Sequence, residues 1–254
     1  MLLVVDVGNT NTVLGLMDGE TVEQQWRVST IPRTTDEVGL TITQLLGLRG
    51  LGVDDVRGVI ISCVVPSTLY NIEKAVRRYL HVEPLVVGSG IRSGMRVRTD
   101  NPREVGADRI VNAVAAAERW APPLVVVDFG TATTFDCVDA RGDYVGGAIA
   151  PGLAISAEAL FTRTSKLPRV PVKRPATAIG TNTVTAIQSG LFHGYVGLVN
   201  ELATVCKQQL QGQATSVATG GFANLIAREC HEIDHVDEHL TLRGLSLLWH
   251  RNQR

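Results

Sequence analysis

The chain has 254 residues, 44% of them hydrophobic and 19% charged, which suits a globular protein long enough for two compact lobes. Its 24 Lys and Arg against 25 Asp and Glu leave a net charge of -1, so no bulk electrostatic pull toward nucleic acid or acidic lipid is expected. No apolar run reaches the ~18 residues of a membrane span, and the four cysteines are dispersed without a CxxC pair, which argues against a disulfide framework.

In chain order, LLVVDVGNTNT (2–12) reads as a buried strand running into Asp6-Val7-Gly8 and then into small hydroxyl and amide residues. TVLGLMDGE (12–20) reads as a second strand closing on Asp18-Gly19. The opening MLLVVDVG has neither the basic n-region nor the long h-region of a leader, so a cytoplasmic protein is expected. DEVGLTITQLLGL (36–48) and STLYNIEKAVRRYL (67–80) have helical spacing, while VRGVIISCVV (56–65) and EPLVVG (83–88) read as strands. EVGADRIVNAVAAAERW (104–120) is a glycine turn followed by a helix, with Ile110, Val111, Val114 and Ala117 as its buried stripe.

Past Pro122-Pro123 the opening returns. LVVVDFGTATT (124–134) sets Asp128 against Asp6, Gly130 against Gly8 and Thr134 against Thr12, all at an offset of 122 residues. TTFDCVDARGD (133–143) supplies the second strand of this copy, the stretch 185–210 a long helix, TSVATGG (215–221) a strand into a glycine turn, and FANLIAREC (222–230) another helix. Strands alternating with helices, written twice, predict an α/β protein of two similar lobes, 1–118 and 119–254, with a ligand cleft between them.

Asp-x-Gly at the end of a buried strand has a specific chemical use. Glycine lets the backbone turn sharply and approach a ligand, and the N–H groups that follow form an anion-binding concavity. Thr10, Thr12, Thr131 and Thr134 add hydroxyl donors for phosphate oxygens. A carboxylate beside polyphosphate repels it unless a cation intervenes, so Asp6 and Asp128 read as cation-directed. There is no G-x-x-x-x-G-K-[ST] loop and no G-x-G-x-x-G after a strand, which argues against P-loop and Rossmann nucleotide sites.

The doubled Asp-x-Gly hairpin is similar to the two phosphate loops of the actin-like ATPase superfamily, and VATGGFANLI (217–226) resembles its adenosine motif. More specifically, the chain resembles the type III pantothenate kinases. The resemblance rests on DVGNTNT (6–12), RTTDE (33–37), SCVVPS (62–67), NPREVGADR (101–109), DFGTATT (128–134), GGAIAPGL (146–153), IGTNT (179–183) and LTLRGL (240–245), in that order along almost the whole chain. It implies two duplicated actin-like (ribonuclease H-like) lobes with a nucleotide cleft. It also implies phosphorylation of pantothenate by Mg-ATP with a monovalent cation, K⁺ or NH₄⁺, in a homodimer without nucleic acid or membrane partners.

For individual residues the resemblance implies the following roles. Asp108 is the general base, and Gly106, Ala107, Arg109 and Thr183 contact pantothenate. The turn Asp6, Val7, Gly8, Asn9, Thr10, Asn11, Thr12 and Val13 holds ATP together with Thr131. Asp128 binds the monovalent cation, and Asp6 addresses Mg²⁺ through water. The residues alone leave other roles open: Asp108 could complement a helix dipole, Arg109 could be a surface arginine, and Thr183 could cap the following helix. Thr99 departs from the family pattern, where some members carry a tyrosine that lines the substrate pocket.

Three features have simpler readings. HEIDH (231–235) matches a zinc motif that needs a helix to bring His231 and His235 together, but its acidic surroundings favour a solvated connector. The basic stretch 163–174 has no interleaved aromatics and reads as a surface loop. Gly190, Gly194 and Gly197 on the long helix allow either close packing within the chain or a subunit interface.

Overall fold

The computed structural model describes residues 1–211 and 213–253. Its elements in the first half are β1 (Leu2–Val7), β2 (Asn11–Asp18), β3 (Thr21–Ser29), α1 (Thr35–Gly47), β4 (Gly58–Cys63), α2 (Pro66–Ala75), β5 (Pro84–Val86) and α3 (Ala107–Arg119). There follow β6 (Leu124–Phe129), β7 (Ala132–Val138), β8 (Tyr144–Pro151), α4 (Leu153–Thr162), α5 (Thr183–Gln209), β9 (Thr215–Gly220), α6 (Ala223–Ile226), β10 (His235–Val236) and α7 (Leu240–Asn252).

The strands form two five-stranded sheets, ordered β3-β2-β1-β4-β5 and β10-β9-β6-β7-β8. The second order read backwards reproduces the first. In each, three antiparallel strands lead into parallel neighbours: β1 pairs antiparallel with β2 and parallel with β4, and β6 does the same with β7 and β9. The duplication expected from the sequence is therefore an architectural one. It also includes edge strands β3 and β8, which the hydrophobic patterning did not single out.

The register corrects one detail. In the first hairpin Val7 pairs with Thr12 and Asp6 with Val13, whereas in the second Phe129 pairs with Thr133 and Asp128 with Thr134. The second turn is one residue shorter, so Thr12 corresponds to Thr133 rather than Thr134. Leu14 opposite Val5 and Phe135 opposite Val127 occupy matching places in the two ladders, and a one-residue slip would move each to the other face of its sheet.

The chain folds into two compact units. The first comprises Met1–Gly94, Arg103–Ala115 and the chain from Leu240 onward; the second comprises Met95–Pro102 and Ala116–His239. The units are thus not the contiguous stretches 1–118 and 119–254, because α7 returns to the first unit and residues 95–102 pair with the second. Glycines make the return of α7 possible. A Cβ on Gly58 would enter the Trp249 ring, and one on Gly15 would lie 3.0 Å from Leu242 Cδ1. The segment 95–102 is tied down by a bridge from Val97 to Tyr144 and an Arg98–Asp143 ion pair of 3.1 Å.

Each unit has its own core. In the first, Leu3, Val5, Leu14, Leu16 and Ile61 pack under Ile42 and Leu46 of α1 and Ile72 of α2. In the second, Val125, Val127, Phe129 and Phe135 pack against Phe192, Tyr195 and Val199 of α5. Burial of such side chains supplies ~1.5–3 kcal/mol each. Helix α3 is buried all round from Val111 to Ala116, not along a single stripe, because its alanines let neighbours approach on every side.

Candidate active site

Asp6 sits at the C-terminal end of β1, with Val13 opposite it on one side and Ser62 of β4 on the other. After Val7 the chain turns at Gly8, whose N–H donates to Asn11 O at 3.0 Å, and Asn9 and Thr10 are exposed at the tip. Thr12 and Thr30 share a hydroxyl hydrogen bond of 2.9 Å, and Thr30 N–H donates to Thr10 O, so β3 braces the turn. The Asp6 carboxyl is pushed up to about 7, first by burial and then by repulsion from Asp108, while a hydrogen bond from Ser62 pulls it down. Residues distant in sequence thus put two carboxylates within electrostatic reach.

Asp108 stands in the first turn of α3, and its Oδ1 accepts the Arg109 N–H at 2.8 Å. A helix-start position and electrostatic proximity to Asp6 coexist here. Burial raises the Asp108 carboxyl above its ordinary value against the pull of that N–H and of the Arg109 charge. Gly106 makes the arrangement possible, since a Cβ there would lie 2.6 Å from Asp108 Oδ1 and 3.6 Å from Val64 Cγ1. Ala107 opens the helix, and Gly106, Ala107, Asp108 and Arg109 are all partly buried.

In the second unit Asp128 occupies the place that Asp6 holds in the first, paired with Thr134 and with Thr219 of β9. Gly220 follows at φ +91°, and a Cβ there would collide with Asp128 Oδ1 and come within 2.7 Å of Phe129 N. Thr131 lies in the turn, where Gly130 N–H donates to Ala132 O and Gly152 N–H donates to Thr131 O, each at 3.1 Å. A Cβ on Gly152 would enter the Gly130 and Thr131 carbonyls, so GGAIAPGL is the segment that lies against this turn. The side chain that caps α5 is Asn182, which accepts from Thr185 N at 3.0 Å; Thr183 is the first helical residue, exposed, with its hydroxyl in no hydrogen bond among the described residues.

The register reveals two residues that sequence reasoning missed. Ser62 and Thr219 occupy the same place beside the two aspartates, and both are buried. The signal was present: SCVVPS and TSVATGG each put a hydroxyl at the end of an apolar strand. Thr99 is also partly buried, with a buried Oγ1 that has no hydrogen-bond partner among the described residues.

The simpler readings fare as follows. Residues 231–235 form a turn and the start of β10, not a helix, and His235 stacks on Trp120 at 5.3 Å. Among the described residues no group of three or more His, Cys, Asp or Glu could hold a metal ion. The basic stretch is pinned by ion pairs from Arg169 to Glu158 and Arg174 to Glu229. No described helix is long and apolar enough to cross a membrane.

Oxygen-only donors suit a hard cation, and the mutual repulsion of Asp6 and Asp108 would be relieved by positive charge. The turns after Asp6 and Asp128 offer backbone N–H groups suited to phosphate. Comparison with known proteins agrees with this chemistry. A family model described as type III pantothenate kinase matches residues 2–205. A Geobacter sulfurreducens protein named type III pantothenate kinase is 56% identical over 254 residues, covering 100% of both chains. Among solved structures, a conserved Campylobacter jejuni protein assigned to the Baf family of transcriptional activators is 19% identical with a TM-score of 0.61, covering 99% of this chain and 98% of that one. An inorganic polyphosphate/ATP-glucomannokinase from Arthrobacter is 12% identical with a TM-score of 0.51, covering 98% of each chain. At such identities the likeness concerns the fold, that of the actin-like ATPases and sugar kinases.

Proposed function

The chain belongs to the type III pantothenate kinase family, and on that premise we propose that it transfers the γ-phosphoryl group of ATP to the terminal hydroxyl of pantothenate, the first step toward coenzyme A. The observation that carries this reading is the pair of carboxylates, Asp6 at a strand end and Asp108 at a helix start, held within electrostatic reach of each other beside a glycine turn. Phosphoryl transfer requires an acceptor hydroxyl, a carboxylate to receive its proton, and positive charge to offset the phosphates.

In this proposal Asp108 accepts the hydroxyl proton, and the Arg109 N–H fixes the orientation of its carboxylate. Gly106, Ala107, Arg109 and Thr183 contact pantothenate, whose anionic carboxylate suits the Arg109 guanidinium. Residues 6–13 and Thr131 hold the ATP phosphates through backbone N–H and hydroxyl groups. Asp6 directs Mg²⁺ through water, and Asp128 holds K⁺ or NH₄⁺. Bound Mg²⁺ supplies charge neutralisation of the phosphates. Thr99 leaves pantothenate without an aromatic wall at that position.

The protein acts in the cytoplasm as a homodimer in this reading. Support comes from α5, where a Cβ on Gly190, Gly194 or Gly197 would meet nothing within 4 Å, so this face has no packing partner among the described residues. Gly194→Trp is expected to leave the fold intact and convert the dimer to monomer by light scattering; an unchanged mass would refute that interface.

The catalytic reading is tested by ADP release from Mg-ATP with and without pantothenate, in K⁺ and in Na⁺ buffer. Release that needs both pantothenate and K⁺ is the expected result. Pantothenate-independent release would instead assign another ATPase of this fold, and ATP binding without release would assign a regulator.

A further inference from the structure

A cavity opens into the first unit between the β1–β2–β3 face and helices α1 and α2. Its floor is apolar, formed by Val5, Leu14, Val38, Ile42 and Ile72. The cavity volume is about 50 Å³. One water needs only ~10–15 Å³, so the cavity has room for several heavy atoms.

The lining threonine hydroxyls are already engaged within the protein, and the remaining lining hydroxyl, that of Ser29, belongs to an exposed residue. Thr12 and Thr30 bond to each other, Thr41 donates to Glu37 O at 2.7 Å, and Thr68 donates to Val65 O at 2.9 Å. Ordered water wants two to four polar partners, and this cavity offers few, so its preferred content is an apolar chain.

The mouth has a different character. Ile31 is 54% exposed, although it adjoins an apolar cavity. Arg33, two residues on, also lines the cavity, and its guanidinium makes no hydrogen bond or ion pair among the described residues. Glu37 is the acidic group whose charge Arg33 influences, but both hydrogen bonds to the Glu37 carboxylate come from Thr34, its N–H at 2.7 Å and its hydroxyl at 3.0 Å. Arg33 precedes the N-cap of α1, where the helix dipole also favours an anion. A positive side chain beside a mainly apolar cavity is complementary to a carboxylate on a short alkyl tail.

We propose that this cavity is a binding site for a short-chain monocarboxylate of about four to six carbons, its tail among Val38, Ile42 and Ile72 and its carboxylate on Arg33. The site is separate from the groups assigned to phosphoryl transfer, apart from Val7 and Thr12 of the first turn, which border both.

The test is titration of the full chain with sodium hexanoate, followed by methyl NMR and calorimetry. Saturable binding is expected, with shifts at the methyls of Val38, Ile42 and Ile72. Hexanol, which keeps the tail, and acetate, which keeps the head, should each bind at least ~10-fold more weakly, as should hexanoate to Arg33→Gln. Arg33→Lys should restore part of the affinity, and Ile42→Phe, which fills the cavity, should abolish binding while circular dichroism shows the fold retained. The proposal is overturned if hexanoate fails to saturate in the millimolar range, if the shifts map elsewhere, or if Arg33→Gln binds as the native chain does. Methyl shifts that respond equally to hexanol and hexanoate would also overturn it, since the cavity would then be a nonspecific apolar void.

Discussion

Replacement of Asp108 by Asn should lower kcat for pantothenate phosphorylation by about 10²–10⁴-fold, the range typical for loss of a general base. KM for ATP should change little, because Asn keeps the size of the side chain and can still accept the Arg109 N–H that orients it. The native enzyme should also lose kcat/KM on acidification at a pH above the ordinary carboxylate value of 3.8, since burial raises Asp108 and only its ionised form accepts a proton. The part of that acid limb that belongs to Asp108 should be lost from the residual activity of the variant, while a limb from Asp6 remains. Steady-state kinetics across pH would show both effects. A variant that kept native kcat would remove Asp108 from the chemistry.

The second large effect concerns Asp6, where function and stability should move in opposite directions. The carboxyl titrates at about 7 in the fold against 3.8 in an exposed chain. The folded state therefore holds its proton more tightly than the unfolded one. Above pH 7 the ionised group destabilises the ligand-free protein, and this penalty fades as pH falls from about 7 toward 3.8. The displacement corresponds to a ceiling of about 4 kcal/mol. Asp6→Asn removes the charge, so the ligand-free variant should melt about 5 °C higher than native at pH 8, about 2 °C higher at pH 5, and equal to it below pH 3.8. Turnover with Mg-ATP should fall by about 10²-fold or more, as expected when a group that orders transition-state charge is lost. Thermal melts at these pH values, paired with the kinase assay, decide the matter. Equal melting at pH 8 would mean that Asp6 carries no electrostatic strain.

This opposition follows from the architecture. Ser62 is the group that lowers the Asp6 carboxyl, and burial together with Asp108 overrides it. A site that keeps two carboxylates close before any cation arrives is strained in favour of binding one, as functional sites often are. The second unit repeats the strand-end aspartate, with Thr219 in the place of Ser62.

Much of the fold was legible because the repeat is written in hydrophobic pattern. Strand, Asp-x-Gly turn and strand are local, and a period of two with a glycine break is a strong signal. The turn lengths were less legible, since a gapless alignment of the two copies matches Thr12 to Thr134 when the ladders match it to Thr133. The edge strands β3 and β8 were hidden for different reasons. TVEQQWRVS is largely polar because it lies at a sheet edge, and GGAIAPGL conceals a strand behind Gly146 at φ +111° and Gly147, with Gly152 just beyond it lying against the second turn.

The long-range features were the least legible. Nothing local announces that α7 returns to the first sheet; only the structure shows that Gly15 and Gly58 leave room for Leu242 and Trp249. The proximity of Asp6 and Asp108 is likewise a product of the fold, as each stretch alone admits an ordinary reading. For the α5 start, sequence offered Thr183 as cap, but Asn182 takes that role, and this leaves the Thr183 hydroxyl unused among the described residues.

The most direct test of the central claim is identification of the product by ³¹P NMR after incubation of Mg-ATP and pantothenate in K⁺ buffer with the native chain and with Asp108→Asn. The account predicts a new phosphomonoester resonance coupled to the methylene that bears the terminal hydroxyl of pantothenate, formed by the native chain and reduced at least ~100-fold in rate in the variant. Inorganic phosphate as the sole product, or a phosphomonoester formed equally fast by both chains, would contradict it.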